Sequence, residues 1–435
     1  MYQPLITFCP HPAIFTQVLC IFVNSELRTL IAIHCTFIIM KILKSLLYII
    51  LTFIILVVIT SIFVPSYSFD EPKPFRGDYL HNPYKDIKPD HWVQANFHAH
   101  TRQFGGLTNG RLNTNEMLDS VYSALGFEHV GISDYNKINY YDSVNPSFIP
   151  AYEHGYGIFK IHQLCIGAEK VRRLDYFAFQ NLSMKQHTLN RLEKQTRLAI
   201  PAHPSFVKKG YLVEDMKYLS NYKLMEVLNG FRISTAHWDT ALSNGHLVYL
   251  IGNDDSHDVT DITDVATRFT MINAKENEAE QLLQSLENGN AVGVDFPIKY
   301  DETLEQKIKR LKNDLPYITQ VELKDDTLLI SASKDFSKIK FIGNEGRILD
   351  EQKDKNTASY VIKAEDNYVR AELNFKDGTS LYLNPITRHE NETIVKQRLD
   401  HINWFKTVIL WVIYISIILM IVVKVAKSSS RRVNK

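Results

Sequence analysis

The sequence predicts an α/β barrel followed by a small antiparallel, sandwich-like β domain, the pair held between two membrane-spanning helices. Three observations lead there. Between Trp92 and about Phe296, short β-rich runs alternate with helical patterns, the order of strands joined by crossover helices. After Phe296 the texture changes to alternating runs such as TLLISAS, KIKFIG and SYVIKAE, which read as strands with one buried face. At the two ends, Leu46–Val64 and Thr407–Val423 hold 19 and 17 residues without a charge, lengths that suit membrane helices. At 435 residues, with 45% hydrophobic and 22% charged side chains, the chain has room for two or three domains and is not a disordered polymer.

Lys41 and Lys44 precede the first apolar run, and Lys424, Lys427, Arg431, Arg432 and Lys435 follow the second. The positive-inside rule then predicts a multi-pass cell-membrane protein with two spans, both termini cytoplasmic and everything between them extracytoplasmic, periplasmic in a Gram-negative cell. The first run also fits a cleaved signal peptide, but it exceeds an ordinary h-region, so an uncleaved anchor is expected. Residues 1–39 read as a doubtful leader that holds Cys9, Cys20 and Cys35, and Met40-Lys41-Ile42-Leu43-Lys44 is itself a plausible start. Only Cys165 remains in the exported part, which excludes an intrachain disulfide framework and a four-cysteine zinc site there.

The expected segments are a leader (1–39), an N-terminal anchor (40–65), a Pro- and Tyr-rich linker (66–90), a barrel (91–296), a β domain (297–390), a juxtamembrane stretch (391–406) and a C-terminal membrane helix (407–426). The formal charge of the whole chain is +1. Setting aside the seven membrane-flanking cations with Arg28 and Glu26 of the leader leaves 41 basic and 47 acidic residues, a net of −6. An acidic exported part disfavours a nucleic-acid partner, since binding to phosphate backbones needs a basic field.

Within the barrel, strands are expected to end in VQANFHAH, HVGISD, LCIGAE, LDYFAF, RLAIPAH, LMEVLN, VYLIGNDDSH and AVGVDF. Leu118, Val121, Tyr122 and Leu125 recur at helical spacing over Asn115–Leu125, and Gly126 supplies the stop; Asn277–Leu286 behaves likewise before Gly289. In the β domain, turns are expected at Lys324-Asp325-Asp326 and Asp377-Gly378.

Nearly every one of these strands finishes in a His, Asp or Glu. His98 and His100 lie two apart, so a strand points both imidazoles to one side, and Asp255 and His257 repeat that spacing. Asp134, Glu169 and His203 close three further runs. Barrel strand ends converge on one face, where such nitrogen and oxygen donors suit zinc, manganese or iron. Singly, each signal has a bland reading as a surface His pair, a turn or a loop cap. Five in one register are specific.

These motifs, HxHT at His98, SDY at Asp134, GAE at Glu169, AHP at His203 and DxH at Asp255, occur in the order and spacing of the polymerase and histidinol phosphatase (PHP) superfamily, which the region from Trp92 to Phe296 resembles. EVLNG, WDTALSNG and GNDDSH look like the branch that includes carbaryl-hydrolase-like metallohydrolases. The resemblance implies a distorted (β/α)7 barrel and two, or at most three, divalent metal ions that hydrolyse a small-molecule ester, usually a phosphoester. It places His98, His100, Glu169 and Asp255 on one metal and Glu169 with His203 on a second. A further histidine, which the family carries in an HLLGF-like strand, falls at Asp175 in DYFAF. Two of the three positions for a third metal are a Gly-rich stretch (Gly105, Gly106) and Tyr135, leaving His257 alone there.

The expected reaction is attack by a metal-activated water on phosphorus or a carbonyl carbon. His257 serves in it as general acid or base or as a ligand, and Asp134 orients a ligand or binds metal. Arg172 and Arg232 head the basic residues near the strand ends that suit a phosphate, with Lys170, Arg173, Lys208, Lys209 and Arg268; His237 is a further candidate for the pocket wall. Two alternatives stay open: a carbamate, amide or other ester hydrolase on the same site, and a degenerate barrel that binds a ligand or protein.

Overall fold

A computed structural model describes residues 25–62 and 64–433. Residues 1–24, with Cys9 and Cys20 of the expected leader, and Lys435 lie outside them. Helix α1 (Ser25–Ile62) runs unbroken through Met40, because no Gly or Pro interrupts it. Its stretch Ala32–Val57 is long and apolar enough to cross a membrane. Lys41 and Lys44 thus lie inside that stretch and not before it.

The chain then forms β1 (Tyr67–Phe69), β2 (Tyr79–His81), β3 (Trp92–Asn96), α2 (Asn115–Leu125), β4 (His129–Val130), β5 (Ala151–His154) and β6 (Gln163–Ala168). It continues with α3 (Leu182–Leu192), β7 (Thr196–Pro201), β8 (Leu224–Asn229), β9 (Arg232–Ile233), α4 (Thr235–Ser243), β10 (Tyr249–Asn253), β11 (Arg268–Asn273), α5 (Ala279–Asn288) and β12 (Ala291–Asp295). After α6 (Leu304–Asp314) come β13 (Ile318–Lys324), β14 (Thr327–Gly343), β15 (Arg347–Val361), β16 (Tyr368–Phe375), β17 (Ser380–Leu383), β18 (Ile386–His389) and β19 (Asp400–Ile402). The last helix, α7 (Trp404–Val433), contains a second stretch, Trp404–Val425, fit to cross a membrane, and its apolar side chains are not covered by the rest of the chain.

Local chemistry explains the helix ends. The Thr114 side chain accepts from Met117 N and Gly126 closes α2 in the left-handed conformation (φ 94), burying Leu118, Tyr122 and Leu125. Helix α5 starts two residues later than expected, after an extended Glu278, and ends at Gly289 as its spacing requires. The expected turns close the β13–β14 hairpin, with Asp325 left-handed, and link β16 to β17 at Gly378.

The fold is mixed α/β, but its pairing is not mainly parallel. Among the strands of the described residues, only β3–β4 and β8–β10 pair in parallel; β11 runs antiparallel to both β3 and β12, and β5–β6–β7 is an antiparallel meander. Among the described residues no ladder closes these strands into a barrel. The run LDYFAF is a loop and not a strand, held there because Asp175 accepts from Tyr156 N and Gly157 N. The boundary expected at Phe296 is crossed by one eleven-stranded sheet, in which β12 pairs with β17 and brings Val294 opposite Leu381. One core accordingly runs from Phe269, Val292 and Val294 to Ile339, Phe341, Val369 and Leu381, while another, with Leu164, Ile200, Leu224 and Leu250, lies under β6 to β10. The strand-helix region is also tied to the C-terminal strands by buried Asp239 on α4, which accepts from Arg370 Nε (2.7 Å), Arg370 Nη2 (2.8 Å) and Tyr368 Oη (3.0 Å) on β16.

Between the two long apolar helices, β1 pairs antiparallel with β19, Ser66 N donates to Thr407 Oγ1 (2.9 Å) and Asn403 N donates to Ser66 O (2.8 Å).

Candidate metal centre

Beyond β3 the segment His98-Ala99-His100 lies alongside Asp255-Ser256-His257. Ala99 bridges Ser256 in parallel register, and His100 N donates to Ser256 O at 2.9 Å. The two spacings read from the sequence therefore sit side by side, and strand alternation sends both imidazoles of the first to one centre. That centre is Glu153, at the end of β5. Its Oε1 lies 2.5 Å from His162 Nδ1, 3.0 Å from His203 Nε2 and 3.6 Å from His98 Nε2, and its Oε2 lies 3.4 Å from His100 Nε2. Asp255 Oδ1 closes the group, 3.1 Å from His100 Nε2 and 3.3 Å from His98 Nε2.

Donor atoms of three overlapping sets, His98/His100/Glu153, His100/Asp255/His257 and Glu153/His162/His203, lie within 4.8 Å of one another. Glu226 holds the frame from outside. It accepts from His98 Nδ1 (2.9 Å), His203 N (2.8 Å), Asn229 Nδ2 (3.0 Å) and Asn253 Nδ2 (2.9 Å), fixing the His98 ring with Nε2 inward. His203 (φ 31) and Asp255 (φ 56) are left-handed without being glycine, a strain of about 1–3 kcal/mol each that persists where the surroundings over-determine it, often at functional sites. Gly110 (φ 74) lets the next loop pass against His100, where a Cβ would come within 2.7 Å of His100 Cβ.

The electrostatics follow from burial and packing. Burial alone would lower the His98 pKa, but Asp255, Glu226 and Glu153 raise it well above the ordinary value. Burial opposes ionisation of Glu153, yet His162 and His98 hold its carboxyl well below the usual range. His257 is lowered to about 4, chiefly by burial, which leaves a neutral imidazole at pH 7. Its Nδ1 donates to Asp255 O (2.6 Å), so the hydrogen-bond pattern assigns Nε2 as acceptor from Tyr135 Oη (3.3 Å). Tyr135 stacks on His100 at 4.3 Å between ring centroids, and burial raises its pKa and keeps the phenol protonated.

Of the residues expected as ligands, the structure brings together His98, His100, His203, Asp255 and His257, and it leaves out Glu169 and Asp175. Glu169 is exposed at the far end of β6. Strand β6 runs back against β5, with Glu153 opposite Leu164, so the start of β6 and not its end lies at the centre. His162 immediately precedes that strand in HQLCIG and stands beside Glu153, where Asp175 was expected. Asp175 itself is spent on Tyr156 N, Gly157 N and Gln180 Nε2.

Asp134, expected as a catalytic side chain, is buried outside the three donor sets. It accepts from Thr101 N (2.7 Å), Thr101 Oγ1, Gln103 Nε2 (2.9 Å) and Asn139 Nδ2 (2.9 Å), which places it as the brace of the turn after His100. A cavity of about 430 Å³ opens over the cluster, lined by Tyr135, His162, His203, Phe206, Phe231, Asp255 and His257 with the cations Arg111 and Lys160. Those two cations were missed because they sit on loops outside any strand-end register. Arg172 does not line this cavity, and its backbone N–H donates to Tyr152 Oη. His237 is buried against Tyr211 O (3.1 Å). Arg232 reaches only the rim, 5.9 Å from the Phe206 ring centroid.

No family model matches the chain, and no curated protein matches it. A crystal structure of a two-domain protein from Bacteroides vulgatus, containing a predicted PHP-like metal-dependent phosphoesterase, is similar to it at 14% identity. The likeness covers 71% of this chain and 100% of that one with a TM-score of 0.36.

Proposed function

We propose that the chain is a metal-dependent hydrolase of the PHP type, acting on a small phosphoester at the Glu153 centre. One observation carries the reading: a single buried carboxylate meets four imidazoles, and His98 Nε2 and Glu153 Oε2, both at the centre, are buried without a hydrogen-bond partner among the described residues. A purely structural cluster would satisfy those atoms, since each orphan costs about 1–3 kcal/mol, whereas a cation satisfies them together. The donor set of imidazole and carboxylate suits zinc, manganese or iron. His98, His100, Glu153 and Asp255 would hold one ion and Glu153, His162 and His203 a second. Bound there, a divalent cation supplies a Lewis acid and an acidified water.

The chain's own residues do the rest. Glu226 fixes His98, Asp134 fixes the turn after His100, Arg111 and Lys160 offer positive charge to an anionic ester, and neutral His257, hydrogen-bonded to Tyr135, can take a proton at Nε2. With both membrane helices spanning, the basic C-terminal flank of Lys424, Lys427, Arg431, Arg432 and Lys435 would face the cytoplasm and the site would face out.

Full-length protein in detergent, purified without chelator, is expected to hold at least one tightly bound transition metal per chain. Offered a phosphomonoester, a phosphodiester and a carbamate, it should turn over the phosphomonoester fastest; equal turnover by wild type and His98→Ala refutes the site. Glu226→Ala, which frees the His98 ring, is expected to weaken metal affinity about 10–100-fold in a chelator competition, with no loss if Glu226 only supports the fold.

A further inference from the structure

The surface beside the cluster carries apolar side chains that the reaction does not require. Tyr156, Ile158, Leu174, Phe177 and Phe179 are all exposed, Ile158 at 54% and Phe179 at 68% of their surface. They form one patch: Ile158 N donates to Phe177 O (2.9 Å), Tyr156 Oη donates to Asp175 O (2.8 Å), and the Phe159 and Phe179 rings lie 4.6 Å apart. Five large apolar groups exposed together on neighbouring loops mark a surface that meets something apolar.

What lies beside the patch identifies the partner. Tyr176, within the same loop, is packed with Val64 and Met184, and Val64 leads directly from the first membrane-length helix. The start of α3 (Leu182, Ser183, Met184) shares a cavity of about 350 Å³ with Lys406, Leu410 and Tyr414 of α7. Leu410 and Tyr414 stand about 9 and 15 Å along the axis from Trp404, at 1.5 Å per residue, inside the stretch fit to cross a membrane. Exposed Trp404 and Phe405 occupy the level where aromatic side chains mark the interface. With Ser66 N bonded to Thr407 Oγ1 (2.9 Å) and this cavity shared with the first turns of α7, the folded surface borders the end of the stretch fit to cross a membrane, where headgroups lie.

At its other end the same loop enters the centre. After Ile158 and Phe159 come Lys160 and His162, both lining the cavity over the cluster together with Phe206 and Phe231. We infer that the loops 156–160 and 174–179 rest in the outer layer of the bilayer, and that the substrate is a phosphoester borne on a lipid, its headgroup reaching the Glu153 centre past Lys160 while its chains stay in the membrane. The substrate half of this inference rests on the phosphoesterase reading; the bilayer contact does not.

The two halves are tested on the full chain in lipid nanodiscs. With Cys9, Cys20 and Cys35 replaced by Ser and buried Cys165 retained, nitroxide labels at Ile158→Cys and Phe179→Cys are expected to be accessible to oxygen and protected from a water-soluble nickel chelate. A label at Val144→Cys, an exposed position on a different loop, should show the reverse. Aqueous behaviour at 158 and 179 overturns the bilayer contact, whatever the activity. Separately, the Ile158→Ser/Phe179→Ser double variant is expected to hydrolyse phosphatidic acid in nanodiscs about tenfold more slowly, the effect of lost apolar contact, and to keep wild-type turnover of water-soluble p-nitrophenyl phosphate. Equal loss on both substrates, or no wild-type turnover of the lipid while the soluble ester is hydrolysed, overturns the lipid assignment. Failure on both esters with lipid-exposed labels would instead sink the hydrolase reading.

Discussion

Glu153→Gln is expected to remove bound metal and to lower phosphomonoester turnover by about 10³-fold or more, while Glu169→Gln leaves both within about twofold, as an exposed substitution away from the site should. The glutamine keeps the volume of the side chain and loses the charge that four imidazoles surround, so cavity effects are small. What goes is the one anion shared by His98, His100, His162 and His203. Metal content by mass spectrometry and initial rates on the same preparations check the pair. Retention of metal and rate by Glu153→Gln, with their loss in Glu169→Gln, would mean that β6 meets the centre with its other end.

Asp239→Ala is expected to destabilise the folded domain by about 3–5 kcal/mol, because it leaves the Arg370 guanidinium buried without its carboxylate. Asp239 and Arg370 are 6% and 3% exposed, and Trp238 lies under the same guanidinium at 5.0 Å, so water cannot readily replace the lost partner. The double change Asp239→Ala/Arg370→Met should recover most of the loss, since removing both charges removes the penalty. Denaturant unfolding followed by tryptophan fluorescence checks the order. Because α4 belongs to the strand-helix region around the centre and β16 to the C-terminal strands, the single variant should unfold both in one transition. Two separate transitions would instead show lobes that fold apart.

Some of this molecule was legible in the sequence because the physics there is local. The two-residue spacing of His98 and His100, and of Asp255 and His257, survives any sheet topology, since alternation alone puts each pair on one face. Helix α2 was legible from its stripe and its Gly126 stop for the same reason. Glu153 and His162 were not, because they face each other across the antiparallel hairpin β5–β6, and assuming that strand ends converge selects the wrong end of a strand that turns back. From His162 to Glu169 the reversed strand spans on the order of 23 Å at about 3.3 Å per residue. Nor could alternating runs after Phe296 reveal that β17 would join β12, since a strand's pattern records which faces are buried and not which neighbour buries them.

The short pairing of β1 with β19, sealed by Ser66 and Thr407, joins the place where the chain enters the domain to the place where it leaves. A domain on one supple leash sweeps a hemisphere of solution and meets targets by the litre. If both helices span a membrane, a domain gripped at both ends turns only as its anchor turns, so its encounters would be counted per area of membrane, and a target confined to that plane would be met at an effective concentration that dilution of the surrounding fluid leaves unchanged.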